Sequence, residues 1–518
     1  MRRLLVLVSI LFVAAPAHAE WWEARTDHFV IYSQDDEGDT RKFATQLERY
    51  DNALRSLQST KFEPISQDWQ RVTIYRSGDI DDIGRLAHSP GVAGFYKPEL
   101  APVEFTPVRE SKNLGSIVRR DSRTDLDPKS VLFHEYAHHF MFKYFPAGYP
   151  SWYIEAFAET LATIDLKPDG SFHLGNPPQY RSDALFHSMM TVTPKSLLAS
   201  TSKPDFEDFY AYYSVGWLMN HYLTFEPSRK GQLQTYLRLV NDGVPSGDAA
   251  RKAFGDLDKL DNEIGRYKNK GRLYGADVRP ANTAPPQVTM RRLSDAEEAV
   301  MDAKMRSKAG VTHAEAGGVA ADARDVARRY PDSYPVQLEL AEAELDADNL
   351  QASEAAADRA IQIQPQGVDG LIAKGRALFE RGKEAKDKAL LQQSRIWLAK
   401  AHDVDPHHPA PLLYNYLSYF YEGGTIPPSA LVGLEQAYLA APHYGDLRLI
   451  LSRQLLSERK GELARDILLP LALNPHESKG RKKLHDVVEL IEAKKVPEAY
   501  TALATEMARE EAEAKKDN

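Results

Sequence analysis

"HEYAHHF", His134 to Phe140, sets two histidines four residues apart with a glutamate directly after the first. The run around it, "DLDPKSVLFHEYAHHFMFKYFPAGYP", has the punctuation of one helix. Asp127 is placed to cap it, Pro128 suits the first helical position, and Pro146 and Gly148 end it. On a helix, His134 and His138 lie one turn apart on one face, so their imidazoles can converge on one ion. Zinc (Zn2+) takes neutral imidazole nitrogens and, in catalytic sites, keeps one position open for water. Glu135, angled slightly off the metal, is placed to take a proton from that water. His139 points about 100° away from His138 and is expected to be an exposed or hydrogen-bonded neighbour.

Two histidines need a third protein ligand. "PSWYIEAFAET" (Pro150 to Thr160) follows at once, with Ser151 expected to cap a second helix. Glu155 and Glu159 lie one turn apart on it. Trp152, Ala156, Phe157 and Leu161 make this helix largely apolar, and a charge buried there is costly without a partner. Glu155 is therefore assigned as the third metal ligand. Glu159 is assigned as an acceptor behind it, fixing the tautomer of a ligand histidine. His173, His187 and His221 have no metal-like spacing and read as structural or surface residues.

Working outward, residues 20–127 read as a mixed α/β subdomain. "HFVIYS" and "RVTIY" are β-rich runs. Between them Phe43, Leu47, Tyr50 and Leu54 have helical spacing, with Asp39 or Thr40 as cap. "VAGFY" and "PVEFTPV" read as two further strands. Pro102 and Pro107 favour an edge position for the second, where an extended substrate could pair. Residues 128–272 read as a helical subdomain holding the zinc site. Residues 273–292, with "GADVRPANTAPPQVT", read as a linker.

From 293 to 495 the composition shifts to Ala, Leu, Glu, Asp, Lys and Arg, and a repeat emerges. "RRYP", "IQIQP", "HDVDP", "YLAAP" and "LALNP" end at Pro331, Pro365, Pro406, Pro442 and Pro475, at spacings of 34, 41, 36 and 33 residues. Ala360, Ala401 and Ala437 precede their prolines as small packing residues. Each helix pair has an apolar face that only a neighbouring pair covers, so the pairs are expected to stack into a solenoid. The wide spacing implies an insertion near "GKEAKDKALLQQ". Residues 496–518 read as a charged tail.

The whole chain agrees with this plan. Its 518 residues exceed one core, and 43% hydrophobic with 27% charged residues is ordinary for a globular protein. A net charge of -9 argues against a nucleic-acid partner. "MRRLLVLVSILFVAAPAHAE" has a basic start, a short apolar stretch and Ala17-His18-Ala19, so residues 1–19 read as a signal peptide cleaved after Ala19. That implies export to a periplasm or the medium, with no transmembrane segment in the mature chain. The chain has no cysteine, so its cores must suffice without disulfides.

The His134-Glu135-x-x-His138 and Trp152-x-x-Glu155-Ala156-x-Ala158-Glu159 pair resembles the gluzincin metallopeptidases, most closely the peptidase MA-like family. The likeness runs from Glu20 to about Tyr222. Two departures bear on substrate class: Ala156 stands where that family has glycine, and only 16 residues separate His138 from Glu155. The proline-punctuated region resembles tetratricopeptide (TPR) repeats. The resemblances imply an α+β zincin-like metallopeptidase domain followed by an all-α TPR-like solenoid. They imply hydrolysis of a peptide or protein substrate by zinc-activated water, and a surface for a protein partner. They also imply a tyrosine that stabilises the oxyanion. It falls on Tyr213, although Tyr210, Tyr213 and Trp217 have the spacing of core residues. Two alternatives stand beside this: a catalytically silent scaffold acting through its repeats, and a prenyl-endopeptidase-like enzyme. The latter family's distant E-x-x-A-D segment is not found here.

Overall fold

The computed structural model describes residues 20–58, 62, 64–90, 92–109, 128–181, 192–199, 209–270, 273–475 and 481–514. The expected signal peptide, the Asp127 cap and His187 lie outside the described residues. The chain forms an N-terminal region around a mixed sheet, followed by a long run of helices. Among the described residues no helix is long and apolar enough to cross a membrane.

Among the described residues the N-terminal region holds nine strands. They are β1 (Trp22–Arg25), β2 (Phe29–Ser33), β3 (Val72–Arg76), β4 (Phe95–Lys97), β5 (Val103–Thr106), β6 (Asp165–Leu166), β7 (Phe172–Leu174), β8 (Ala276–Val278) and β9 (Thr289–Arg292). The main sheet has the order β4-β5-β3-β2-β1-β9. Strands β2, β3 and β5 are parallel, and the outer strands pair antiparallel. Helix α1 (Glu37–Ser56) makes the crossover from β2 to β3, and α2 (Ile80–Leu86) leads away from β3. Alternation along the strands sorts the two faces. Phe29, Ile31, Val72 and Ile74 face a core shared with α1 and with α3 (Pro128–Tyr144). Tyr75, Val103 and Phe105 face the other way, onto Ile83 of α2 and onto Met301 and Met305.

Three expectations are corrected here. Asp36, not Asp39 or Thr40, caps α1, accepting from the Asp39 N–H at 2.8 Å. Strand β5 is interior and β4 is the edge, because Pro102 and Pro107 fall just outside the paired residues and cost the ladder no donor. The stretch 273–292 is not a free linker. Its Pro-rich centre is irregular, but β8 pairs with β7 and β9 adds to the sheet beside β1.

Among the described residues, this region up to residue 268 also holds α3, α4 (Ser151–Ala162), α5 (Pro194–Ala199), α6 (Phe209–Phe225), α7 (Gln232–Asn241), α8 (Ser246–Phe254) and α9 (Leu257–Lys268). Helix α4 lies between α3 and α6, and Trp152 and Trp217 anchor the core it shares with α6 to α9.

The remaining helices among the described residues form six consecutive pairs. These are α10 (Asp295–Ala309) with α11 (His313–Arg329), α12 (Tyr334–Asp346) with α13 (Leu350–Ile363), and α14 (Val368–Ala385) with α15 (Lys388–Val404). They continue as α16 (Pro409–Glu422) with α17 (Pro428–Ala440), α18 (Gly445–Ser457) with α19 (Gly461–Leu473), and α20 (Arg481–Glu492) with α21 (Val496–Ala514). Each of the five repeat prolines falls two residues past a helix end. The 41-residue spacing is absorbed by longer helices, 18 residues in α14 and 17 in α15. Residues 496–514 are not a frayed tail. Ala499 and Leu503, four apart, bury against α18 and α20, and the charges occupy the other face.

Candidate metal site

Three bonds set the roll of α3 about its axis. Tyr136 packs into the sheet core, and its hydroxyl donates to Asp51 Oδ1 at 2.6 Å. Tyr50 donates to the Phe133 carbonyl at 2.8 Å. His139 is buried and its Nδ1 lies 2.7 Å from the Tyr96 hydroxyl of β4, so it is the hydrogen-bonded neighbour expected. With that side of the helix committed, His134 and His138 face α4. Helix α4 doubles back along α3 after a short turn. Asn220 of α6 bonds Thr160 at 2.8 Å and fixes α4 from behind. Ser151 does not cap α4; its hydroxyl donates instead to the Leu473 carbonyl at 2.8 Å.

This packing brings His134, His138 and Glu155 together. Nε2 of His134 lies 3.1 Å from Nε2 of His138 and 3.3 Å from Oε2 of Glu155, and the third side of the triangle is 3.6 Å. A tetrahedral zinc with nitrogen and oxygen ligands at about 2.0–2.2 Å has ligand–ligand edges of roughly 3.3–3.6 Å. The triangle therefore has the size of one face of such a tetrahedron. Two imidazole nitrogens and one carboxylate oxygen are a suitable donor set.

Electrostatics follow from the same crowding. Burial alone would push the His134 ring down, but Glu155, Glu159 and Glu135 outweigh it and hold the pKa at about 9. Burial, with Lys143 and Arg55 nearby, pushes His139 well below the usual range, so that ring is neutral. Tyr213 is buried against the triangle, its ring centroid 6.2 Å from that of His134. Burial pushes its hydroxyl up, as do the charge of Glu155 and a hydrogen bond to it. Glu135 is half-buried one position round the helix from the ligand face.

Glu159 behaves differently from expectation. It lies 3.8 Å from His134 Nδ1, too far for a hydrogen bond. Arg181 grips its Oε1 through Nε at 3.2 Å and Nη2 at 2.8 Å, and Tyr180 donates to Oε2 at 2.7 Å. The Arg181 guanidinium also lies over the Tyr213 ring at 4.7 Å. Sequence reasoning missed Tyr180 and Arg181; they follow a hairpin and carry no motif. It also missed Glu104 of β5, whose two carboxylate oxygens are buried without a hydrogen-bond partner among the described residues. Burial pushes Glu104 well up, and the Glu135 charge adds to this.

A second cluster, His28, Glu48 and Asp51, has comparable spacing. Its carboxylates are already engaged. His28 Nδ1 lies 2.6 Å from Glu48 and 3.1 Å from Asp51, and Asp51 also binds Arg55 Nε at 2.5 Å. Burial opposes charge on His28, but Asp51 and Glu48 prevail and raise its pKa. This cluster is an ion-pair network that locks α1 to α3 through Tyr136. His173 and His221 hold structure too: the first lies 2.8 Å from Asp277, the second between the Gly175 carbonyl and the Tyr267 hydroxyl.

No model of a known protein family matches this chain, and no curated protein matches it.

Proposed function

We propose that this chain is an exported zinc-dependent metallopeptidase of the gluzincin kind, with a TPR-like array behind its catalytic domain. The observation that carries the reading is the His134–His138–Glu155 triangle, which fits a zinc ion in both donor chemistry and dimensions. Zinc held there would polarise a scissile carbonyl and lower the pKa of a water molecule. Glu135 takes the proton of the attacking water and delivers it to the departing amine. Tyr213 donates its phenolic hydrogen toward the oxygen on which charge develops. Arg181 neutralises Glu159, leaving the Glu155 charge to the ion. A peptide or protein is the substrate, and the array selects or docks it through surface outside its contacts with the catalytic domain.

The test is metal content of the purified mature chain, wild type beside Glu155→Ala and Glu135→Gln. Wild type should hold about one zinc per chain and Glu155→Ala much less. Glu135→Gln should keep its zinc and lose cleavage of a peptide library. A folded wild type that takes up no zinc, even when zinc is offered and the excess removed, would overturn the reading.

A further inference from the structure

The helical array grips the turn that joins α3 to α4. Lys143, near the end of α3, donates to the Ala440 carbonyl at the end of α17. Ser151, at the start of α4, donates to the Leu473 carbonyl at the end of α19. Between them Gly148 presses on Leu469 so closely that a Cβ at 148 would lie 2.4 Å from its Cδ2. The Gly148 N–H donates to Asn241 Oδ1 at 2.9 Å, and the Asn241 carbonyl accepts from Arg465 of α19 at 2.6 Å. This turn sets how far His134 and His138 stand from Glu155.

One residue of the array reaches further in. His443 sits in the turn between α17 and α18, 7% exposed, with Nε2 2.9 Å from the Glu99 carbonyl. A carbonyl only accepts, so Nε2 carries the hydrogen and donates it. That ring meets the His139 ring edge-on, with centroids 5.2 Å apart at 69°. His139 in turn bonds Tyr96. Glu99 and Tyr96 belong to β4 and the loop after it, so His443 and His139 together close a small ring between the sheet edge, α3 and the array. His139 is the residue directly after the ligand His138.

We propose that the inner face of the array is a positioning element of the metal site: His443 in the turn at 441–444, acting through His139, fixes the roll of α3 and so the aim of His138, while Leu469 of α19 against Gly148 fixes the spacing of α3 from α4. This rests on the zinc reading above. The array is then a working part of the centre, and its inner surface here serves its own chain.

The full chain is tested as wild type, His443→Leu, His443→Gln and Leu469→Ala. Zinc affinity is read by competition with a chelator, the cobalt-substituted protein by its visible absorption band, and stability with and without metal by urea. Loss of the His443 donor should weaken zinc about 10- to 100-fold, the range for residues that orient ligands. It should also shift the cobalt band. His443→Gln, which keeps a donor at the Nε2 position, should restore both. Leu469→Ala, which touches no polar group, gives the same readout should His443→Leu fail to fold. Wild-type zinc affinity and an unshifted cobalt band in His443→Leu, or in Leu469→Ala alone if only that variant folds, would overturn this inference by itself. A folded wild type that takes up neither metal would overturn the zinc reading, and this inference with it.

Discussion

On the zinc reading, the metal-free protein carries at neutral pH a proton that the ion would have to displace. The His134 pKa stands at about 9, because Glu155, Glu159 and Glu135 outweigh the burial that would lower it. Zinc takes the neutral ring. At pH 7 only about one molecule in a hundred has that ring free, so apparent zinc affinity should be weaker than its high-pH limit by about 2.7 kcal/mol. Affinity should rise about tenfold per pH unit from this group alone between pH 7 and 8, and flatten above about 9. Calorimetry in buffers of different ionisation enthalpy should find about one proton released per zinc bound at pH 7. The zinc-free chain gives an independent check on the sign. Its folded pKa lies above the ordinary 6.5, so the stabilisation is full below about 6.5 and is lost as pH rises through about 9. The loss approaches about 3 kcal/mol. With zinc in place the folded ring carries no proton, and this dependence should vanish between those values. Binding that releases no proton and does not change with pH would refute the argument, because the carboxylates would then not be holding His134 charged.

Three further outcomes follow from named contacts. Arg181→Met strips buried Glu159 of a two-pronged partner and should cost about 3–5 kcal/mol in urea unfolding, whereas Tyr180→Phe removes one bond and should cost about 1–3; the reverse order would mean that Arg181 is not the principal counter-charge. Tyr213→Phe should lower kcat for peptide cleavage about 10- to 1,000-fold with KM little changed, and an unaltered kcat would make Tyr213 a core residue only. Trp69→Phe deletes the indole N–H bond to Asp405 Oδ2, 2.9 Å long, and should lower stability by about 1–3 kcal/mol; an unchanged urea midpoint would mean that this contact between the sheet region and the array carries no stability.

The parts of the site legible in the sequence are those that depend on one helix at a time. His134 and His138 share a face because they are four apart, and Glu155 and Glu159 do so for the same reason. The repeat prolines mark helix ends because proline cannot continue a helix, and all five fall two residues past one. Contacts between elements were not legible. Arg181 reaches Glu159 across a stretch with no periodic pattern, so nothing local points to it. Glu159 itself is diverted from His134 by that arginine. Residues 273–292 look like loop by composition, yet short pieces of them become strands because β1 and β7 offer unpaired edges. The apolar stripe of α21 was hidden by the charges that share its helix.

The expected division into an N-terminal domain, a linker and a repeat module follows composition, whereas the cores follow a different division. Strand β9 completes the main sheet, and α10 begins three residues later. Met301, Met305 and Ala309 of α10 bury Tyr75 and Phe105 on the face of the sheet away from α3. Leu293 closes the same core, its N–H bonding the Trp21 carbonyl at 3.0 Å. A chain cut within 273–292 would bare that face, leave β1 as an open edge and remove the array contacts that brace the turn between α3 and α4. The first helix of the array is therefore one of the covering layers of the sheet, and the later pairs return to brace α3 and α4. The surface from which a repeat module would ordinarily recruit a partner is, at those places, already filled by the N-terminal region of the same chain. On the positioning proposal, the repeats act first on the geometry of the candidate site in front of them, and a docked protein would meet the array elsewhere.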